Sequence, residues 1–299
     1  TQVKIGNVEI NNLNLSKLEK SSVTVHDIEV FDKNSERIAK VDTAKIKLKV
    51  LSLYDDGAGA IDEINITGAH VNIKKRDDES WNVQDIKIKS EGESNFGALI
   101  TVDDSDLNAE FDNNKITVEN ISGSADCANM DAIDTKVSAK VFDSNISANG
   151  FLSVDNQTIH ANIDKVDVEN ILPFLPELPV EIERGIVSNA KVHVNRADNI
   201  LDLLGSADVT DGAVIVEDTQ VENINGTTTF SKSEVCFNAS ATANGQSANA
   251  SGIVHIDTDE PVFDIHADSE SFAPSAIIEN IGIEGAAKVI AHMTGTVKN

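Results

Sequence analysis

Apolar and polar side chains alternate along most of this chain with a period of two. Lys45, Lys47 and Lys49 interleave with Ile46, Leu48 and Val50, and the same beat returns in Val137 to Val141, Val235 to Ala243 and Ala287 to Met293. In a β-strand that period sends successive side chains to opposite faces, so each segment predicts a strand with one dry and one wet face. Turn signals spaced about 8 to 12 residues apart predict on the order of twenty such strands. A sheet of this kind must hide its dry face against a second sheet, a helix layer, another chain or a ligand. Helical periodicity is scarce, so the last two covers carry weight.

An internal repeat organises the strands. Val118-Glu119-Asn120-Ile121-Ser122-Gly123 returns as Val221-Glu222-Asn223-Ile224-Asn225-Gly226, and Ala148-Asn149-Gly150-Phe151 returns as Ala250-Ser251-Gly252-Ile253. Ile182-Glu183-Arg184-Gly185 likewise matches Ile283-Glu284-Gly285. Repetition along one axis predicts an elongated, solenoid-like object. We expect a cap region over 1–97, a first repeat unit over 98–200 and a second over 201–299, in one continuous domain; Ser90 to Gly97 is the loosest join. Two segments do not read as strands. Val168 to Leu178, with Pro173 and Pro176 inside it and Pro179 just beyond, holds at most a short helix or turn. Phe272 to Asn280 offers Ser271 as a cap and Pro274 in a first helical turn. Both are expected to plug part of the sheet.

Composition narrows the function classes. With 40% apolar residues the chain folds. These residues are mostly Val, Ile and Ala; only 4% of the chain is aromatic, with one Trp and one Tyr, which predicts a thin or extended core. A formal charge of −26 argues against gripping nucleic acid and against lying on an anionic membrane. No run approaches the roughly 18 to 20 apolar residues of a membrane span, and Thr1 to Asn12 does not read as a signal peptide. Any export signal or anchor is therefore expected outside this sequence. Cys127 and Cys236 are too few to staple the fold, and unpaired thiols are expected.

Catalytic and metal patterns are weak. Asp103-Asp104-Ser105-Asp106 begins like a calcium loop, but from Asp104 the sixth position is Ala109 and the twelfth Lys115, which leaves a solvated strand end. Asp257-Thr258-Asp259-Glu260, before Pro261, reads as a turn. The seven histidines, at 26, 70, 160, 193, 255, 266 and 292, fall in no zinc motif, and no nucleophile elbow, P-loop or dinucleotide fingerprint is present. The expectation is a non-enzyme with no cofactor and no metal.

One stretch resembles a known family. Val23-Thr24-Val25-His26-Asp27-Ile28-Glu29-Val30-Phe31-Asp32 is followed by Ile38-Ala39-Lys40-Val41, the strand Ala44 to Leu53, and Ile64-Asn65-Ile66-Thr67-Gly68-Ala69-His70-Val71-Asn72-Ile73. The stretch closes on Asp78-Glu79-Ser80-Trp81-Asn82-Val83. This layout resembles the TamB/AsmA-like family of diderm bacteria, although members commonly carry Gly where Ser80 stands. Downstream repeats with Gly at 123, 150, 226 and 252 are similar to the family's repeating β region. The resemblance implies an all-β, antiparallel repeat sheet folded into an open taco-like groove with an apolar interior. It further implies a periplasmic protein anchored in the inner membrane, carrying phospholipids toward the outer membrane. The implied partners are phospholipids, an inner-membrane anchor and an outer-membrane barrel protein of the BamA/TamA type.

A lipid groove needs no specific pocket, only many interchangeable apolar positions, because each methylene removed from water contributes about 0.8 kcal/mol. The residues expected to line it are Ile46, Leu48, Val50, Ile64, Ile66, Val71, Ile73, Val137, Val141, Leu152, Val154, Ile159, Ile163, Val192, Val194, Val235, Phe237, Val254, Ile256, Phe263, Ile265, Val289 and Met293. Two other readings stay open at this point. One is a scaffold offering sheet edges to outer-membrane barrel strands during assembly. The other is a closed, adhesin-type structural β-repeat whose apolar faces are buried between sheets.

Overall fold

The computed structural model describes residues 2–11, 21–49, 57–86, 96–129, 131–153, 155–174, 181–197, 200–216, 219–257, 260–273 and 285–296. The protein is all-β, with seventeen strands and one short helix among the described residues. It divides into two compact units, Thr1–Ile159 and His160–Asn299.

In the first unit, β1 (Gln2–Lys4) and β2 (Asn7–Asn11) pair with successive stretches of β3 (Ser21–Phe31). There follow β4 (Arg37–Leu48), β5 (Ile61–Lys74), β6 (Leu99–Phe111), β7 (Asn114–Asp126), β8 (Ile133–Val141) and β9 (Ser144–Leu152), each paired with the one before. β10 (Asn156–Asp167) begins here and continues into the second unit. In the second unit β11 (Glu181–Ala197), β12 (Ile200–Val216), β13 (Thr219–Ser231), β14 (Glu234–Ala243), β15 (Gln246–His255), β16 (Val262–Phe272) and β17 (Ala287–Thr296) form an antiparallel meander.

One pairing departs from expectation. β5 and β6 run parallel, Ile64 beside Ile100 and Val71 beside Leu107, so the sheet of the first unit is not purely antiparallel. A parallel neighbour requires a crossover rather than a hairpin, and Lys75 to Ala98 supplies that length. Three of the described turns are tight. Asp112-Asn113, Phe142-Asp143 and Asn244-Gly245 each carry two consecutive positive φ angles, the signature of a type I′ two-residue hairpin.

The helix α1 (Val168–Ile171), followed by a 3-10 turn at Leu172–Phe174, occupies part of the first expected plug. Buried Val168 lies where a side chain at Gly185 of β11 would project. Of the second expected plug, Phe272 instead ends β16, and Pro274 to Asn280 lies outside the described residues. Few large side chains are fully enclosed. Ile38 is the only one below 2% exposure among the described residues, and more than half of the buried apolar residues are alanines.

The strands contain a device that strict alternation misses. Asp27, Gly68, Asp104 and Asn120 in the first unit, and Asn189, Asp211 and Asn223 in the second, sit mid-strand with φ between 47° and 68°. This left-handed region costs little for Gly and is visited by Asn and Asp more readily than by other side chains. Around Asp104 and Asn120 the ladder pairs Val102 with Gly123, Ser105 with Ile121 and Leu107 with Val118. Each strand has thus inserted one extra residue, a β-bulge. The insertion returns the next apolar residue to the face its predecessors occupy.

Repeat glycines have a separate reason. A Cβ at Gly123, Gly150 or Gly226 would fall inside contact distance of the carbonyl oxygens of Lys136, Thr158 and Asn238 on the next strand, and one at Gly252 would lie 2.6 Å from that of Asp264. The sequence repeat therefore marks close strand approach as well as the bulge.

The features behind the family resemblance hold the end of β5. Asn82 is buried; its Oδ1 accepts the Lys74 amide at 3.0 Å and its Nδ2 donates to the Asn72 carbonyl at 2.9 Å. Trp81 packs on Phe111 with ring centroids 6.1 Å apart. In the preceding turn the positive φ falls on Glu79, at 62°, rather than on Ser80. Ser80 instead donates its backbone N–H to Asp78 at 3.0 Å.

Candidate lipid-facing surface

Because residues paired across a ladder share a face, the registers decide which expected lining residues come together. In the first unit Ile46 stands beside Ile64, and Ile64 beside Ile100; Leu48 pairs with Ile61 at the strand end. Ile66 lies beside Val102, and Val71 and Ile73 lie beside Leu107 and Ala109. The left-handed kink at Gly68 is what joins Ile64 and Ile66 to Val71 and Ile73 on one face, since their numbering has opposite parity. The row continues through Gly123 to Val137 and through Val118 to Val141, and Leu152 joins it opposite Ile133. A side chain at Gly150 would approach the Cα of Ile159 at 3.0 Å, which places Ile159 on that face too. Val50 and Val154 lie outside the described residues.

In the second unit one row runs Val192, Gly205, Phe230, Val235, Val254, Phe263, Gly295 across seven strands. The next runs Ala207, Thr228, Phe237, Gly252, Ile265, Met293. Val194 pairs with Leu203, and Val289 pairs with Ser269, on the same side. Ile256 follows Val254 by one strand period, with its amide on the Ser233 carbonyl at 2.8 Å. On β10 the alternation sets Ile163 on the face opposite His160, and the His160 ring meets His193 across from Val192. Phe230 lies against Gly205, and Phe263 against Gly295, so the two aromatic rings cover backbone left bare by glycine.

These side chains are mostly half-exposed, and some are more open: Val137 is 41% exposed, Ile256 45% and Met293 46%. Val8 and Ile10, paired with Val25 and Val23 on the same face, are over half exposed. Among the described residues no buried side-chain nitrogen or oxygen lacks a partner.

The opposite face carries the charge. Lys47 pairs with Glu63, Lys49 with Asp62 at 3.0 Å, and His70 with Asp106 at 2.6 Å. The Asp103 to Asp106 segment is mid-strand rather than a strand end: the Ser122 hydroxyl donates to Asp103 at 2.6 Å, while Ser105 is buried with its hydroxyl accepting the Ala69 amide. This face is not wholly polar, since Phe151, Leu204, Ile253 and Ile290 project from it exposed. Both thiols are free; Cys127 is buried, and burial, with Asp126 beside it, raises its pKa.

Register also assembles what spacing along the chain hides. Asp264 and His266 alternate onto the polar face of β16, and His292 of β17 stands directly beside His266. His160 and His193 form a second pair, Nδ1 to Nδ1 3.0 Å. The only advance signal for the first group was the Asp-x-His alternation in a strand; its third member becomes visible only with the β16–β17 register. Comparison with known proteins finds no matching family model, no matching curated protein and no matching solved structure.

Proposed function

We propose that this chain is a segment of a periplasmic lipid conduit, in which the apolar face of each unit shelters phospholipid acyl chains while head groups stay in water. The observation that carries this reading is the row-by-row continuity of the apolar face, from Val192 to Gly295 in the second unit and from Ile46 through Ile64 to Ile100 in the first. Such a face, half-exposed, is what an acyl chain can cover at about 0.8 kcal/mol per methylene. The four-residue helix α1 is too small to cover it. The sequence likeness to TamB/AsmA-like proteins supports the periplasmic setting, an inner-membrane anchor in the complete protein and an outer-membrane barrel partner of the BamA/TamA type. Apolar positions without a fixed polar pocket favour a carrier over an enzyme.

Native mass spectrometry with lipid extraction tests the proposal. Co-purified phospholipid at more than one molecule per chain is the expected result. A lipid-free, protease-resistant monomer that refuses added labelled phospholipid overturns it and returns the closed structural module. Capture of unfolded outer-membrane barrel segments with no lipid uptake returns the assembly scaffold.

A further inference from the structure

We propose that Asp264, His266 and His292 form a binding site for a divalent transition cation of the zinc class, on the polar face of the second unit. All three ligand atoms lie within 4.8 Å of one another. His292 Nε2 is 2.7 Å, and His266 Nδ1 3.6 Å, from the same Asp264 oxygen. The two rings stack with centroids 4.0 Å apart and planes inclined by 18°. Two imidazole nitrogens therefore converge on one carboxylate oxygen.

That geometry fits the chemistry of the donors. Ligand bonds near 2.0 to 2.2 Å in a tetrahedral site put donor atoms about 3.3 Å apart. The observed separations of 2.7 and 3.6 Å bracket that value, so modest side-chain rotations admit an ion. Two imidazoles and one carboxylate are a borderline-soft set that selects Zn(II), Ni(II) or Cu(II). Ca(II) wants six to eight oxygens, and only one carboxylate is present here. All three residues are exposed, which leaves the remaining positions to water, as in a three-ligand site with open coordination.

The backbone supplies preorganisation. His266 and His292 are directly paired residues of β16 and β17, and Asp264 is one strand period along on the same face. Their Cα positions are set by the ladder rather than by a loop. A cation held there clips β17 to β16 through side chains, adding to the backbone bonds. It binds on the face opposite Phe263 and Ile265, so it neither needs nor blocks the apolar face.

The test uses the full chain without an affinity tag, stripped with chelator and titrated with Zn(II) by calorimetry, with Co(II) absorption reporting coordination. One equivalent of Zn(II), a Zn(II)-dependent rise in melting temperature, and no response to Ca(II) at the same concentration are expected. Asp264→Asn, His266→Ala and His292→Ala should each weaken binding roughly tenfold or more, with circular dichroism unchanged because the side chains are exposed. His255→Ala, beside Glu234, and His193→Ala, in the His160 pair, should leave binding intact. Absence of Zn(II) binding, indifference of binding to the three substitutions, or its loss in His193→Ala or His255→Ala overturns the assignment.

Discussion

Asn120 and Asn223 hold the same position in successive copies of the repeat and the same left-handed backbone, φ 52° and 53°. Each is followed by an isoleucine, and these pair with Ser105 and Gly212, the residues after the left-handed Asp104 and Asp211. The repeated motif thus encodes a kink shared by two neighbouring strands.

A β-branched residue cannot adopt that backbone without strain. Asn120→Val and Asn223→Val should each destabilise the chain by about 1–3 kcal/mol, read as a lower denaturant midpoint. Asn223→Gly should change stability by much less, because glycine tolerates the conformation. Equal losses for Val and Gly would show that the asparagine side chain, not its backbone, matters.

Gly226 faces the Ala239 Cα, and an added Cβ would sit 2.6 Å away from it. Gly226→Ala should therefore cost about 1–3 kcal/mol, as overpacking does. Gly245, in the hairpin turn with open space around it, is the contrasting site: Gly245→Asn should cost at most about 1 kcal/mol, from its left-handed φ alone, since asparagine visits that region more readily than other side chains. Chemical denaturation of the two variants side by side separates steric approach from turn preference.

Asp32 is fully buried, accepting the amides of Asn34 and Glu36 at 2.8 Å each and the Arg76 guanidinium at 2.8 Å. Burial alone would raise its carboxyl pKa, but the Glu36 amide, Arg76 and the Asn34 amide outweigh it and hold the group below the ordinary carboxylate value. Folding lowers this pKa, so its stabilisation is complete above the unfolded value of about 3.9 and is lost as pH falls through the folded value. Asp32→Asn should flatten part of the acid limb of a stability–pH profile. Asp32→Ala should cost about 3 kcal/mol at neutral pH, whereas Arg37→Ala, removing the exposed pair with Glu29, should cost under about 1 kcal/mol.

Val254 lies between Val235 and Phe263 on the apolar face. Val254→Asp should abolish retention of labelled phospholipid by the purified chain while its circular dichroism spectrum persists, because an open face tolerates a charge that a closed core does not. Leu152→Asp in the first unit should behave alike. Unfolding of both variants would mean the face is closed.

Much of the sheet was legible because alternation is local. Lys45 to Leu48 predicted its own strand and face, and Val235 and Phe237 predicted theirs. Val71 and Ile73 share the face of Ile64 and Ile66 only through the left-handed kink at Gly68, which a period of two cannot express. The parallel step from β5 to β6 was hidden for a different reason: Val71 beside Leu107 is a non-local choice that neither segment's pattern specifies. The same holds for His266 and His292, which meet only through register. Alternation reports what faces solvent, and register reports what meets what.

The parallel seam between β5 and β6 also bears on the order in which the first unit assembles. On its sides, β3 to β5 and β6 to β9 are built from antiparallel hairpins that close locally and quickly. Joining β5 to β6 must wait for a long segment to close, an entropic step that local hairpins avoid. The unit is therefore expected to form as two fast-folding ribbons that later zip together along Ile64–Ile100 and Val71–Leu107. The amide protons of that seam should be the last in the unit to gain protection from exchange during refolding.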